Sequence, residues 1–258
     1  MSATLRQVGV IAARSIRRTL RQPALIVPSI VFPLFLLAVN ASGLSRATDI
    51  PGFPTDSYLD FALVVTFMQG ALFAAITAGT ELANDIETGF FDRLALTPMR
   101  GLALLVGQLA GAATVALAGA VVYLVVGLIA GGRIAAGVGG AFVLIAYAVF
   151  IAVAFGAIGS FFALRTGSAE AVQGLFPLLF VTLFLSSSNL PRNLIETGWF
   201  RHVASWNPVS YVIEGMRSLV ITGWDAHTLL VGLGVSAGIA VVAFAVAVRS
   251  LRTRLVRT

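Results

Sequence analysis

The sequence contains no cysteine and no lysine among its 258 residues. Without cysteine, the chain can form neither a disulfide framework nor a thiolate metal site. Without lysine, it cannot supply the Lys-Ser or Lys-Thr that completes a phosphate-binding loop, so it does not bind a nucleotide in that way. Its two histidines, His202 and His227, are far apart with no companion ligand. We therefore predict no metal site and no cofactor bound by this chain itself.

Charge is also scarce. Charged residues make up 11% of the chain, against about 25% in an average soluble domain, and the mean hydropathy is +0.96. The 17 basic residues, all arginine, outnumber the 11 acidic ones and give a formal net charge of +6. These arginines gather at the ends of apolar segments rather than along one stripe. That distribution argues against nucleic-acid binding and favours a membrane protein.

What the sequence does have is long uncharged runs. Six runs contain 20 or more residues without Asp, Glu, Lys or Arg, and the next longest contains 12. Because a helix needs roughly 20 residues to cross a hydrocarbon core of about 30 Å, we predict an all-α integral membrane protein with six transmembrane helices. The predicted spans are about 24–44, 61–80, 102–130, 138–164, 171–188 and 228–248.

The arginines also predict the orientation of the chain. With a cytoplasmic N-terminus, twelve of the 17 fall in cytoplasmic segments and five in external ones, as the positive-inside rule requires. Both termini and residues 81–100 are then cytoplasmic. The alternative is a secretory signal cleaved after "VNA" (39–41). It is disfavoured because Pro28 and Pro33 interrupt its apolar run and cleavage would leave five spans.

An amphipathic segment precedes the first span. Residues 3–21 predict a helix whose five arginines share one face and whose apolar residues share the other. This arrangement is typical of helices that lie in the membrane interface with arginines toward lipid phosphates. A basic tail that only directs topology is the alternative.

A second unusual region, residues 189–227, precedes the last span and carries all three tryptophans. Within it, residues 193–221 contain two short helical pieces that meet at Asn207-Pro208. Because tryptophan and tyrosine favour the headgroup level, we predict a re-entrant helical pair that forms an external gate, with an ordinary external loop as the alternative. Glu214 and Arg217 can pair locally or line the exit. The residues assigned to this gate are Trp206, Asn207, Pro208, Tyr211, Glu214 and Arg217.

The stretch "NDIETGFFDRLALTPMR" (84–100) combines dense mixed charge with two phenylalanines. A helix that docks into a soluble partner needs charge for specificity and apolar side chains for affinity. A solvated loop, the alternative, does not explain the phenylalanine pair. Since the predicted spans carry no charged residue at midplane that could relay protons, a transporter of this kind must receive its energy from outside the chain. We therefore predict a cytoplasmic docking helix over 84–96, stopped by Thr97-Pro98.

These motifs resemble the type-2 ABC transporter permeases, in particular the branch typified by daunorubicin exporters. "DIETGFFDRLALTP" is similar to that family's coupling helix, "FPLLF" (176–180) to its fifth span, and "WNPVSYVIEGMR" (206–217) to its re-entrant segment. Ile86 and the pair Phe90-Phe91 depart from the family pattern. The predicted coupling-helix residues are Asp85, Glu87, Gly89, Phe90, Phe91, Asp92, Arg93, Leu94, Thr97 and Pro98.

The resemblance implies the permease subunit of an ATP-driven exporter in the bacterial cytoplasmic membrane, a transport subunit rather than an enzyme. It implies two partners: a second permease copy or paralogue, and a separate ATPase that binds ATP and magnesium and is contacted by Glu87 and Asp92. The expected substrate is a small amphipathic drug or lipid-like molecule, with membrane lipid around the chain and no nucleic acid. The alternatives are an exporter of polysaccharide or lipid-linked glycan with the same architecture, and a non-transporting membrane scaffold.

The predicted orientation can be tested with single cysteines, because the natural chain has none. We expect Ala3→Cys, Thr88→Cys and Thr253→Cys to resist membrane-impermeant thiol reagents in whole cells and to react after the cells are opened. Labelling of Thr88→Cys from outside would overturn the topology.

Overall fold

The computed structural model of the chain describes residues 3–95 and 101–255, and these contain no β-strand. Two short 3-10 segments lie at Ser45–Asp49 and Arg192–Leu194. The α-helices of the described residues are α1 (Ala3–Leu20), α2 (Pro23–Gly43), α3 (Tyr58–Glu87), α4 (Phe90–Ala95), α5 (Gly101–Ile129), α6 (Gly137–Thr166), α7 (Ala169–Gln173), α8 (Phe176–Phe184), α9 (Gly198–Trp206), α10 (Pro208–Ile221) and α11 (Ala226–Leu255).

Five of the described helices, α2, α3, α5, α6 and α11, are long and apolar enough to cross a membrane. Their outer faces match that environment: large apolar side chains such as Val31 and Phe35 of α2, and Val241 and Val242 of α11, are exposed. Exposing this much apolar surface to water would be energetically unfavourable, whereas the apolar hydrocarbon of a bilayer removes that cost. The all-α membrane fold predicted from the sequence is therefore present, with five of its helices of spanning length.

The fifth predicted span, 171–188, is not one long helix. α7 ends at Gln173, α8 begins at Phe176, and the two together run from residue 169 to residue 184. Pro177 stands in the first turn of α8 and has no N–H to continue the hydrogen bonding of α7. Even if the whole 16-residue stretch were continuous helix, it would reach about 24 Å, which is short of a hydrocarbon core. The six-helix count is therefore not confirmed by helix length.

α3 is the centre of the bundle and packs against α2, α5, α6, α7, α8 and α10. Its closest neighbour is α6, because glycines face each other where the two helices cross. A Cβ added to Gly79 would lie 2.8 Å from the carbonyl oxygen of Gly159, and one added to Gly159 would overlap the carbonyl oxygen of Ala75. The backbones thus touch directly, as small residues allow in membrane helices.

α6 and α11 run in the same direction. The hydroxyl of Tyr147 on α6 lies 3.0 Å from Oγ of Ser236 on α11. Near the C-terminal ends of both helices, Arg254 of α11 donates to the carbonyl oxygen of Leu164 of α6 at 3.1 Å. The chain between them must therefore return to the end of the bundle from which α6 began. Residues 169 to 189 follow α3 in reverse: Glu87 accepts from Ala169 N at 2.9 Å, and the Tyr58 hydroxyl donates to the Asn189 carbonyl at 3.0 Å.

The glycine crossing predicts a sharp difference between two alanine substitutions. We expect Gly159→Ala to lower the thermal unfolding midpoint of the purified protein, because the new methyl group forces α3 and α6 apart at a cost of about 1–3 kcal/mol. Gly238→Ala in α11 is the matched control, since a Cβ there meets no atom within 4 Å. Equal midpoints for the two variants would show that the crossing is not close-packed.

Candidate functional site

The predicted coupling helix 84–96 is two helices rather than one. Residues 84–87 form the last turn of α3, and α4 begins only at Phe90. Thr88 Oγ1 bonds the carbonyl oxygen of Asn84 at 2.8 Å, and Gly89 follows with φ +67°. A left-handed glycine is the common way to end a helix, so the chain turns at this point. Thr97 and Pro98, with the side chains of Asp92 and Leu94, lie outside the described residues.

Asp85 points into the protein, although it was predicted from the sequence to belong to the helix that docks the ATPase. It is buried and accepts two hydrogen bonds from Arg14, at 2.9 and 2.8 Å, and one from Arg18. These bonds raise the pKa of the Arg14 guanidinium, and burial opposes the rise. Two of the four arginines of α1 therefore bind a carboxylate of α3 rather than facing lipid phosphates. Arg17 remains exposed.

A second carboxylate, Glu81, lies one turn deeper on α3 and is fully buried. Thr19 Oγ1 donates to its Oε1 at 2.6 Å, and Ser15, one turn back along α1, donates to the carbonyl oxygen of Gln108 on α5 at 2.8 Å. Residue-by-residue reading of the sequence missed this cluster. The signal was present as three pairs at i, i+4: Arg14 with Arg18, Ser15 with Thr19, and Glu81 with Asp85.

Two glycines of α5 let α1 come close enough to make these bonds. A Cβ on Gly107 would lie 2.6 Å from Cβ of Ile11, and one on Gly111 would lie 2.5 Å from Oγ1 of Thr19. The Gly107/Gly111 spacing is thus a helix-packing surface whose partner is α1. We name the polar contacts between α1 and α3, made by Arg14, Ser15, Arg18, Thr19, Glu81 and Asp85, the α1 clamp.

The clamp also reaches α4. The guanidinium carbon of Arg14 lies 3.7 Å from the centre of the Phe90 ring, a distance suited to a cation–π contact. Phe91, which the sequence offered to a partner together with Phe90, is 2% exposed and packs inside this chain. Glu87 and Arg93 are exposed on the turn and on α4. Among the described residues of this segment, the exposed side chains are therefore the polar ones, Glu87, Thr88 and Arg93.

At the other end of the bundle, the predicted external gate is built around α9 and α10. Asn207 joins the two helices: its Oδ1 accepts from Val209 N at 2.9 Å, and its Nδ2 donates to the carbonyl oxygen of Thr182 at 2.6 Å. Pro208 opens α10, where the missing N–H costs nothing. Trp206 is 86% exposed, on the same surface as Trp199.

Glu214 and Arg217 do not pair with each other. Glu214 accepts two hydrogen bonds from Arg192, whose guanidinium carbon lies 4.4 Å from the centre of the Tyr211 ring. Arg217 is buried and donates to backbone carbonyls instead. The local pair suggested by their spacing is therefore replaced by a bridge from α10 to the segment 192–194.

A mainly apolar cavity of about 350 Å³ opens on the face shared by α2, α3, α7 and α8. Phe73 and Phe176 line it with ring centres 5.0 Å apart, and Phe32 and Phe180 extend the same aromatic cluster. Polar atoms are few: Thr77, Thr80 and Gln173 belong to the lining, and Oγ1 of Thr80 is buried without a hydrogen-bond partner. A cavity with flat apolar walls and a few polar groups suits an amphipathic molecule.

Within residues 3–95 and 101–255, no three acidic or histidine side chains gather as a metal site would require.

The chain is similar in sequence to a known protein family and to individual members of it. Residues 6–221 match the ABC-2 type transporter family. The chain is 31% identical over 213 residues to the daunorubicin resistance ABC transporter permease protein DrrB1 of Streptomyces coeruleorubidus, covering 78% of this chain and 71% of that protein. It is 26% identical over 233 residues to the probable doxorubicin resistance ABC transporter permease protein DrrC of Mycobacterium tuberculosis, covering 89% and 82%.

The α1 clamp predicts the effect of removing one carboxylate charge. Asp85→Asn keeps the size of the side chain but weakens its bonds to Arg14 and Arg18. Hydrogen bonds to charged groups contribute about 1.5–3 kcal/mol, so amide hydrogen exchange in α1 should rise roughly 10-fold or more. Exchange in α5 and α6 should stay unchanged. Glu170→Gln, an exposed acid on α7, is the control; unaltered exchange in α1 of Asp85→Asn would contradict the clamp.

Proposed function

The chain belongs to the ABC-2 type transporter family and is a membrane subunit of an ABC transporter; from that premise we propose that it exports a small amphipathic or lipid-like substrate, driven by an ATPase on a separate chain. The ATPase binds ATP and magnesium, and two permease subunits form the path. The observation that carries the proposal is the contact of α4 with the α1 clamp, since it links an exposed turn to three helices of the bundle.

The link consists of direct contacts. Arg14 bonds Asp85 of α3 and covers the ring of Phe90 of α4, and Thr19 of the same helix bonds Glu81. A partner that pushes on the exposed turn at Glu87 or on Arg93 therefore displaces α4, α1 and α3 together. A transport subunit that hydrolyses no ATP itself needs such a mechanical input, and the short connection between α6 and α7 offers less exposed surface.

The topology proposed is six crossings with a re-entrant pair, both termini cytoplasmic, in the inner membrane. The parallel course of α6 and α11 supports a return crossing between them. The contacts of Ala169 with Glu87 and of Asn189 with Tyr58 support assigning that crossing to α7, α8 and the turn after them. α9 and α10 then form the re-entrant pair at the outer end. The arginine distribution supports the orientation.

The substrate class is supported by two observations. The relatives are named for resistance to daunorubicin and doxorubicin, and the cavity beside α8 has aromatic walls with few polar groups. Flat aromatic surfaces favour ring-bearing amphipathic molecules through stacking and apolar burial. We propose that this face binds the substrate on its way out.

The coupling surface can be tested by reversing its two exposed charges. We expect Glu87→Arg with Arg93→Glu to abolish copurification with the co-expressed partner ATPase and to abolish substrate-stimulated hydrolysis. Removing one partner of a desolvated interface charge pair commonly costs about 2–5 kcal/mol, or roughly 30-fold or more in affinity. The double variant should still fold: neither side chain belongs to the core, and its free energy of unfolding should fall only by the loss of the hydrogen bond that Ala169 N donates to Glu87, about 1 kcal/mol.

Arg252→Glu is the matched control, since Arg252 is exposed near the same end of the bundle but lies on α11. It should leave copurification intact. A double variant that still binds the ATPase and exports at the wild-type rate would show that the coupling assignment is wrong.

A further inference from the structure

A cavity of about 370 Å³ lies at the outer end of the chain, between the loop before α3, the segment 191–193, α10 and the start of α11. Its volume falls within the usual range of ligand sites, roughly 300–1,000 Å³. Four of its twelve lining residues, Pro54, Phe61, Pro191 and Ile221, are apolar, and apolar atoms make up most of the exposed wall. The rim of the cavity includes exposed residues. The cationic side chain of Arg217, which also lines the cavity, is only 6% exposed.

Arg217 is incompletely satisfied. Its Nη1 donates to the carbonyl oxygen of Ser187 at 3.0 Å, and its Nη2 donates to that of Ser188 at 3.1 Å and weakly to that of Phe61 at 3.4 Å. The guanidinium carbon lies 3.5 Å from the centre of the Phe61 ring. Nε is buried and has no hydrogen-bond partner. Burial lowers the pKa of Arg217 to about 9, and the side chain is therefore still cationic at pH 7.

Neither acid in the cavity wall forms an ion pair with this guanidinium. Both carboxylate oxygens of Glu214 are bonded to Arg192, and Glu214 attracts Arg217 only from a distance, which partly offsets the lowering of its pKa by burial. Asp225 is bonded to the first turn of α11, through the N–H groups of His227 and Thr228 and the hydroxyl of Thr228. Among the described residues, no carboxylate lies within 4 Å of Arg217. A buried guanidinium without an ion-pair partner is costly, so an anion in the cavity would be stabilised.

We propose that this outer cavity binds the anionic group, phosphate or carboxylate, of an amphipathic ligand, with Arg217 as the cationic partner and the apolar wall holding the adjoining hydrocarbon. The site is distinct from the aromatic face beside α8. It concerns binding alone and does not depend on the proposed export activity.

The test is direct binding to the purified chain in phosphatidylcholine nanodiscs, measured by calorimetry. The probes are octyl phosphate, octanoate, neutral octyl glucoside, inorganic phosphate and dihexanoyl phosphatidic acid. We expect the two anionic octyl compounds to bind at one site per chain, at least 10-fold more tightly than octyl glucoside. Dihexanoyl phosphatidic acid binding more tightly than octyl phosphate would identify a lipid headgroup as the source of the anion. If inorganic phosphate bound as tightly as octyl phosphate, the apolar wall would contribute nothing to affinity, and the proposed binding of a hydrocarbon there would be wrong.

Two variants separate the site from the fold. Arg217→Gln should weaken octyl phosphate at least 10-fold, whereas Arg201→Gln, an exposed arginine of α9, should not. If Arg217→Gln does not fold, Thr222→Trp replaces it as the test. The tryptophan fills the cavity from its exposed wall and leaves the bonds of Arg217 to the backbone intact, so it should also weaken the binding of octyl phosphate. Equal binding of neutral and anionic octyl compounds, or full affinity in Thr222→Trp, would overturn the proposal.

Discussion

The arrangement of helices around the C-terminal end of α3 follows from the need to satisfy two carboxylates on that helix. Glu81 and Asp85 are buried among apolar helices, where an unpaired charge costs several kcal/mol. α1 supplies the hydroxyl and guanidinium groups that satisfy them, and it can do so only because Gly107 and Gly111 let it lie against α5. Asp85 binds the edge of the Arg14 guanidinium, and the flat face of the same group contacts the ring of Phe90, the first residue of α4. The amphipathic character of α1 thus serves the protein as well as the membrane interface.

The resemblance to ABC transporter permeases is confirmed, and the sequence predicted the helical membrane fold well. Helices α2, α3, α5, α6 and α11 follow directly from uncharged runs, because apolarity and length are local properties. The break within the fifth predicted span was not predictable in the same way. Its uncharged run is long enough, but α8 begins at Phe176 and ends at Phe184, and only the contacts of Ala169 and Asn189 show that the segment runs alongside α3.

The candidate site was predicted less well than the fold, because the direction of a side chain depends on its tertiary neighbours. Asp85 and Phe91 stand in the motif that resembles a coupling helix, yet both face inward. Glu214 and Arg217 have the spacing of a helical ion pair, yet Arg192 takes the carboxylate and backbone carbonyls take the guanidinium. For Asp85, Glu214 and Arg217 the partner is a residue distant in sequence, which a reading of one segment at a time cannot include.

The two unusual ends of the molecule are connected by one helix. α3 runs without proline from Tyr58 to Glu87 and is buried along nearly all of its length. Near its C-terminal end Asp85 holds α1, and near its N-terminal end the carbonyl and ring of Phe61 contact the buried guanidinium of Arg217. The α1 clamp and the cavity at Arg217 therefore share one continuous, close-packed helix, with roughly 24 residues of α3 between Asp85 and Phe61.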